Sequence, residues 1–472
     1  MVMDRKDFGC CYSLDFSGGT LLWNSERDDS PPLASDVPWV FDRRVQQWRT
    51  DAMYYATLCV AIRSDRRSIG DRVYRWKNVW WHRPQLPAPR KEQQLAVDAW
   101  YRAGQRGTIV MPTGTGKTEV ALQIMLATKT ATLVVVPIRE LMHQWHRRIM
   151  KSLGIDAGLI GDNLYRLAPI CVTTYHSARI HMPSLGNRFG LIVFDECHHL
   201  PARHLRDAAV MSAAPLRLGL TATLNDDVDR RMDVEQLIGP VVHESSVQSA
   251  KGKTLADYQI VRIPVHFTPQ ERETYEAFGR IVRRYAAKHS TTSKRFDWKA
   301  VCRLSNSDLE SRRILQAYHA CRDLEHRAVE KLRVLGELFQ LHRDEQVIVF
   351  VGSNAMAIDV SMRYLVPCLL SHSGKRERRD VLDGFANGTF PALVANRVLD
   401  EGIDLPDVKI AVVLGGLAST RQAQQRLGRI VRRSGERRAT LYEVVLEDTQ
   451  DVVRFRRRRR NDAYKKVRRR NL

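Results

Sequence analysis

Short apolar runs rich in Val, Ile and Leu recur between residues 108 and 220, and stretches of helical period separate them. The runs are Thr108–Met111, Thr132–Val136, Ile170–Thr174, Leu191–Phe194 and Leu216–Leu220. Runs of this length bounded by turn residues read as buried strands, and their alternation with helices predicts a parallel, doubly wound sheet. A second series starts at Gln346-Val347-Ile348-Val349-Phe350-Val351 and continues near Cys368–Ser371, Ala392–Ala395, Ile410–Leu414 and Thr440–Val445. The pattern therefore predicts two α/β domains in tandem. Between them, residues 246–335 turn helical and highly charged, and Thr268-Pro269 there suits an N-cap and a first helical residue.

Ahead of the first series, residues 1–35 are rich in Gly, Ser and Asp around Ser17-Gly18-Gly19 and Asp28-Asp29-Ser30-Pro31-Pro32, which predicts a flexible, loosely docked start. Six of the nine tryptophans then fall before residue 85: Trp23, Trp39, Trp48, Trp76, Trp80 and Trp81. With Arg43, Arg44, Arg49, Arg72, Arg75 and Lys77 among them, they predict a small α+β module over 36–86. Its rings either stack on bases or form the module's own core. Pro84, Pro87 and Pro89 mark a linker. The expected divisions are 1–35, the module at 36–86, a first α/β domain at 87–245, a helical insertion at 246–335, a second α/β domain at 336–448 and a basic tail at 449–472.

Composition changes the picture mainly through charge. A net charge of +22 over 472 residues is the electrostatic footprint of a polyanion partner, and nucleic acid is the leading one. Residues 454–470 hold eleven Lys or Arg against the single acid Asp462. This tail reads as a duplex-gripping arm, a solvated helix or a partner-docking segment. Eight cysteines occur without C-x-x-C spacing, which speaks against zinc, iron–sulfur and disulfide frameworks and fits a reducing cytosol. No apolar run is long enough to cross a membrane, so a cytoplasmic protein, nucleoid-associated if prokaryotic, is expected.

Candidate chemistry begins at Met111-Pro112-Thr113-Gly114-Thr115-Gly116-Lys117-Thr118, between the strand ending near Val110 and a helical stretch from Glu119. Gly114 and Gly116 let backbone N–H groups turn toward an anion at a helix N-terminus. Lys117 would reach the β- and γ-phosphates of a nucleotide, and the Thr118 hydroxyl would hold Mg²⁺. The strict loop pattern has Gly where this chain has Met111. After the run Leu191–Phe194, Asp195 is placed to hold Mg²⁺ and Glu196 to activate an attacking water. His198, His199 and His204 follow, with no Cys pair at zinc-site spacing, and hydrogen-bond coupling to the neighbouring domain is the simpler use of the first two. Arg429 and Arg432, three apart in a helical stretch, project from one face and suit γ-phosphoryl charge.

In this order the motifs resemble those of the superfamily-two helicases, over roughly residues 87–446, and most closely the XPB-like branch of DNA repair helicases. The resemblance implies two RecA-like domains with ATP and Mg²⁺ between them, and 3′ to 5′ tracking on DNA. Gln93 matches the adenine-reading glutamine, and Thr113 to Thr118 match the phosphate loop. Pro137, Leu141, Gln144 and Trp145 match the first strand-tracking motif, and Thr173-Thr174-Tyr175 the second. Asp195-Glu196-Cys197-His198 is a DEAH-type variant, and Thr221-Ala222-Thr223 matches the motif coupling ATP and nucleic-acid sites. In the second domain Phe350 to Ser353 and His372-Ser373-Gly374 match early motifs. Asp400-Glu401-Gly402-Ile403-Asp404-Leu405-Pro406 and Gln425 to Arg432 match the last two, which makes Gly402 and Asp404 nucleotide ligands and Gln425 a nucleic-acid or coupling residue. The family's Arg-Glu-Asp element is replaced by Leu224-Asn225-Asp226-Asp227. The same resemblance makes the aromatic module DNA-sensing and residues 246–335 a thumb. Phosphate contacts do not distinguish DNA from RNA. No acid/His cluster suited to a nuclease is present, so cutting needs a nuclease or repair partner.

Overall fold

The computed structural model describes residues 12–25, 30–31, 36–81, 84–224, 227–245, 258–289, 301–303, 308–370, 372–396, 408–415 and 439–458. Asp400 to Pro406 and Gln425 to Arg432, and with them Gly402, Asp404, Gln425, Arg429 and Arg432, lie outside the described residues, as does the tail beyond Arg458. Two units divide the chain after Ser245.

In the first unit, β1 (Tyr12–Ser17) and β2 (Thr20–Ser25) form a hairpin whose alternating residues Leu14, Leu21 and Trp23 are buried. This corrects the expectation of a loose start. Gly18 and Gly19 both take positive φ, 58° and 84°, so the Gly pair that reads as disorder is a two-residue hairpin turn. The strands β3 (Val40–Asp42), β4 (Gln47–Asp51) and β5 (Ile69–Asp71) complete a five-stranded sheet in the order β3-β4-β2-β1-β5, backed by α1 (Tyr55–Ser64). The tryptophans differ in burial. Trp23 is core, whereas Trp80 is 72% exposed and lies over Lys129.

The module is fastened to the domain that follows. Asn187 Nδ2 donates to the Val73 carbonyl at 2.7 Å, and Arg75 N–H returns a bond to the Asn187 carbonyl at 2.9 Å. A Cβ on Gly186 would meet Met211 O at 2.0 Å and the Phe16 ring at 2.8 Å, so the backbone there packs closely against the small sheet. The end of the module and the linker are also tied down: Val79 N–H bonds Lys129 O and the Trp81 indole bonds Leu126 O, and within the linker Gln85 N–H bonds Ser152 O.

The larger sheet contains β6 (Arg106–Val110), β7 (Thr132–Val136), β8 (Gly158–Gly161), β9 (Leu164–Arg166), β10 (Ile170–Thr174), β11 (Leu191–Asp195), β12 (Leu216–Thr221) and β13 (Val241–Glu244). Their order is β13-β6-β12-β11-β7-β10-β8-β9, parallel throughout except for the β8–β9 hairpin. The helices α2 (Lys91–Arg102), α3 (Lys117–Thr128), α4 (Arg139–Leu153), α5 (Tyr175–Leu185), α6 (Asp207–Val210) and α7 (Val228–Leu237) accompany it. Strands buried on both faces need near-continuous apolar sequence, which is why Thr132–Val136 and Leu191–Asp195 are buried at every position.

Arg217, on β12, is fully buried, and no carboxylate pairs it among the described residues. Its guanidinium donates instead to the carbonyls of Ala214 (3.2 Å), Ala209 (3.1 Å), Leu237 (2.6 Å) and Ser212, so one side chain ties α6 and the end of α7 to the sheet.

The second unit holds an all-parallel sheet of β14 (Tyr258–Val265), β15 (Val347–Phe350), β16 (Cys368–Leu369), β17 (Ala392–Ala395), β18 (Ile410–Val413) and β19 (Ala439–Leu446), ordered β14-β19-β18-β15-β17-β16. Its helices are α8 (Pro269–His289), α9 (Leu309–Arg327), α10 (Val329–Leu341), α11 (Asn354–Tyr364), α12 (Lys375–Ala386) and α13 (Gln450–Arg458). Thr268 and Glu271 form the reciprocal cap that opens α8. The expected helical insertion over 246–335 is thus corrected in one respect, because it contributes the edge strand β14 to the second sheet. Both units have the RecA-like arrangement expected from the sequence, a parallel doubly wound sheet with helices on its faces.

A buried polar network closes the second unit. Lys331 Nζ and Asp451 pair at 2.8 Å with both side chains excluded from solvent, and Arg454 pairs with Glu325, which also accepts from Tyr275 OH at 2.7 Å. The first arginine of the basic tail is therefore an internal strut. His326 sits in the same cluster, and among the described residues neither ring nitrogen has a hydrogen-bond partner. Burial, then the charges of Lys331, Arg322 and Arg454, push its pKa down to about 3, with Asp451 opposing them.

Two outcomes follow from these buried groups. Arg217→Leu strands several carbonyls and should lower the stability of the first unit by about 3 kcal/mol in urea unfolding, whereas removing the exposed Arg44 should leave the unfolding midpoint nearly unmoved. His326 stays neutral in the fold but protonates near its ordinary 6.5 when unfolded, so the unfolded state takes up more protons between those two pKa values. Its contribution is complete above pH 6.5 and is lost as pH falls below it, by at most about 1.4 kcal/mol per pH unit. His326→Leu should flatten that part of the pH dependence of the second unit's unfolding midpoint.

Candidate active site

The carboxyl ends of three neighbouring strands, β6, β12 and β11, carry the residues singled out in the sequence. After β6 the loop runs from Met111 to Gly116, which takes φ 93° as the N-cap of α3, with Lys117 as the first helical residue and Thr118 as the second. Gly114 is likewise left-handed, at φ 86°. A Cβ at Gly116 would lie 2.2 Å from Gln93 Nε2, so glycine is required there by conformation and by space alike. The loop is braced by Thr115 Oγ1 donating to Pro112 O at 2.7 Å and by Lys117 Nζ donating to Met111 O at 3.1 Å. Thr113 Oγ1 is buried with no hydrogen-bond partner among the described residues.

Gln93, expected as a base-reading side chain, is 5% exposed and has both ends of its amide engaged. Its Oε1 accepts from Arg90 N–H at 2.9 Å as an N-terminal cap of α2, and its Nε2 donates to Thr115 O at 3.1 Å. The amide thus clips the phosphate loop to α2.

Asp195 ends β11 and Glu196 follows it in a left-handed conformation, φ 48°, as the cap of the short 3₁₀ turn Cys197–His199. Asp195 Oδ2 accepts from the Trp145 indole at 2.8 Å, Oδ1 from Glu196 N–H at 3.0 Å, and the Asp195 carbonyl from Tyr175 OH at 3.1 Å. Burial pushes the Asp195 carboxyl upward and the charge of Glu196 adds to it, against the Trp145 hydrogen bond and Lys117. Burial acts on Glu196 in the same direction, but His198 and Lys117 together outweigh it and hold Glu196 below the usual carboxylate range. Glu196 is therefore the member of the pair kept ionised, as a proton acceptor must be.

His198 joins this acid to β12. Its Nδ1 lies 3.3 Å from Glu196 Oε2 and 3.0 Å from Thr221 Oγ1. Thr221 donates its only hydroxyl proton to Thr223 O at 2.8 Å, so the proton shared with His198 belongs to Nδ1. A continuous chain from Glu196 through His198 and Thr221 to Thr223 results.

On the next strands of the same edge, Thr174 caps α5 by accepting from Ser177 N–H at 3.2 Å. Trp145, expected on the strand-tracking surface, is 1% exposed and belongs to the core beside Asp195. The spacing Met142, Trp145, Ile149, Leu153 on α4 carries this in the sequence, because helical period puts all four on the buried face. Pro137, Leu141 and Gln144 are half-buried. In the second unit Phe350 ends β15 and Ser353 caps α11, while Arg429, Arg432, Gly402, Asp404 and Gln425 lie outside the described residues.

Comparison with known proteins decides the family. Residues 86–226 match the family model described as type III restriction enzyme, res subunit, and residues 330–434 match the helicase conserved C-terminal domain. Over 371 residues the chain is 38% identical to a DNA 3′-5′ translocase XPB2 of Sulfurisphaera tokodaii, covering 78% of this chain and 84% of that one. The chain belongs to the XPB-like branch of the superfamily-two helicases. Other members are more distant and longer: a putative DNA 3′-5′ helicase Rad25 of Halobacterium salinarum is 30% identical, with 80% of this chain and 58% of that one covered. A DNA 3′-5′ helicase XPB of Mycobacterium tuberculosis is 28% identical, with 77% and 61% covered. Among solved structures, the Pyrococcus furiosus Hef helicase domain has a TM-score of 0.53 at 19% identity over 78% of this chain and 97% of that one. Saccharomyces cerevisiae Dbp5 bound to RNA and ADP BeF3 has 0.56 at 18%, over 80% and 88%. Both likenesses are of fold.

Within this XPB-like domain, Gly116→Ala should weaken nucleotide binding at least about tenfold, since a left-handed φ costs an L-residue roughly 1–2 kcal/mol before the clash with Gln93 is counted. Adding Gln93→Ala removes the clash and should recover only part of the loss, measured by fluorescent-nucleotide titration.

Proposed function

We propose that the chain is an ATP-dependent DNA translocase that moves 3′ to 5′, coupling hydrolysis to directed motion along a strand, with a role in DNA repair. The observation that carries the reading is the chain of contacts from Glu196 through His198 to Thr221, in which one imidazole nitrogen lies against both the acid beside the phosphate loop and the coupling motif. Family membership and the names of the relatives support DNA as the substrate and 3′ to 5′ as the polarity. The net charge of +22 supports a phosphate-led, sequence-tolerant grip.

The residues fit a nucleoside triphosphate and its Mg²⁺. The positive φ of Gly114 and Gly116 exposes loop N–H groups, and Thr113 Oγ1 is a buried hydroxyl awaiting a partner. Lys117, now folded onto the Met111 carbonyl, would exchange that bond for the phosphates, and Thr118 with Asp195 would hold the metal. Bound Mg²⁺ supplies neutralisation of phosphate charge. Glu196 accepts a proton from water as the water oxygen bonds the γ-phosphorus and the bond to the bridging oxygen breaks, leaving ADP and phosphate. The imidazole of His198 registers the change of charge on Glu196 and passes it to Thr221, Thr223 and the coupling motif. Arg429 and Arg432 are proposed to stabilise charge on the γ-phosphoryl group, with Gly402 and Asp404 as nucleotide ligands and Gln425 in coupling. A repair or nuclease protein is the proposed partner where cutting is required.

One further reading has its own support. The first α/β domain matches a restriction-enzyme res subunit, and the S. tokodaii relative is named a translocase where others are named helicases. A motor that moves on duplex without opening it would account for both names. Glu196→Gln should abolish DNA-stimulated phosphate release by about two orders of magnitude or more while keeping ATP-dependent DNA binding, and Lys117→Ala should lose both. Unchanged turnover in either variant would overturn the site. Triplex displacement without strand displacement would identify the duplex translocase, and strand displacement the helicase.

A further inference from the structure

α4 is the only helix among those described whose side chains bond both the end of β11 and the helix behind the phosphate loop. Trp145 donates its indole N–H to Asp195 Oδ2 at 2.8 Å from a position 1% exposed to solvent. One turn on, Arg148 pairs with Glu119 in the first turn of α3. At its opening turns the same helix holds the tip of the β8–β9 hairpin, where Arg139 and His143 reach Asp162 at 3.1 and 3.0 Å. The helix thus runs from the edge of the sheet that carries the strand-tracking motifs to the carboxylate proposed to hold metal.

The Asp195 carboxylate needs such a brace. It is buried beside a second carboxylate, and repulsion from Glu196 would swing a free side chain out of line. Glu196 N–H fixes Oδ1 and the indole fixes Oδ2, which leaves each oxygen an unused acceptor direction for a ligand. A hydrophobic helix position filled with Leu or Phe would pack as well against the core but would leave Oδ2 unheld. The indole is the group that combines core packing with a donor at that point.

We propose that Trp145 is a positioning residue for Asp195, setting the affinity of the site for Mg²⁺-nucleotide through its N–H, and that α4 links this setting to the strand-tracking edge. The proposal rests on the nucleotide reading of the site. Outer partners that orient metal-binding carboxylates change metal affinity or activity about 10–100-fold when removed. Its test is a titration of Mg²⁺ into the full chain with N-methylanthraniloyl-ADP, followed by fluorescence. Trp145→Phe should raise half-saturating Mg²⁺ by about 10–100-fold while leaving nucleotide affinity in EDTA unchanged, and turnover should fall in kcat with KM for ATP at saturating Mg²⁺ preserved. A Mg²⁺ curve matching the unsubstituted protein would overturn the proposal. Should Trp145→Phe fail to fold, β-(3-benzothienyl)alanine at position 145 keeps the bicyclic shape without the N–H, and the same two outcomes decide. An unsubstituted protein that binds nucleotide with no Mg²⁺ dependence would overturn this proposal alone, and one that binds no nucleotide would overturn the nucleotide reading and this proposal with it.

Discussion

Two adjacent carboxylates buried at the end of one strand repel each other, and much of the first α/β domain is arranged around making that tolerable. Like charges so placed favour protonation of one member, which would remove either the metal ligand or the base. The backbone leaves the strand at once, through a left-handed Glu196. Surrounding groups then divide the roles: an indole and an amide N–H hold Asp195, while His198 and Lys117 keep charge on Glu196. Trp145 and Lys117 come from two further helices, so the pair is held in place only in the assembled domain.

That dependence explains the topology. Because β6, β12 and β11 are neighbours, the phosphate loop, the coupling threonines and the acids meet at one edge although up to about a hundred residues separate them in sequence. The strands β7 and β10 extend the same edge toward the strand-tracking motifs, and α4 and His198 run across the division. Ligand chemistry and nucleic-acid contact are thus connected through short, buried, directional bonds rather than through a mobile loop.

Much of this was legible in the sequence where burial on both faces forces continuous apolar runs. Ile170–Thr174 and Ala392–Ala395 were readable to the residue for that reason. Short or interrupted strands were not. Gly158–Gly161 is half glycine, and Tyr258–Val265 carries Arg262 and Pro264, tolerated because β14 is an edge strand whose outer side makes no ladder bonds. The phosphate loop and the acids announced themselves by residue type. The partners of the acids did not, because Trp145 and His198 act through contacts made by the fold, and a motif records the residue without the direction it faces. Gly18-Gly19 shows the same limit at the backbone, where composition alone does not separate a tight turn from a loose end.

The pairing of β14 with β19 has a mechanical side. The two strands lie parallel in register over eight residue pairs, from Tyr258 with Ala439 to Val265 with Leu446. One brings the chain into the second unit's sheet and the other is that sheet's last strand in the chain. Tension applied ahead of Tyr258 and beyond Leu446 therefore loads the ladder in shear, so that its hydrogen bonds must yield together and not one after another. Behind Leu446, the Lys331–Asp451 and Arg454–Glu325 pairs clamp the following helix. The second unit is thereby built to bear force along the chain without unzipping, as the body of a machine that pulls on a polymer must be.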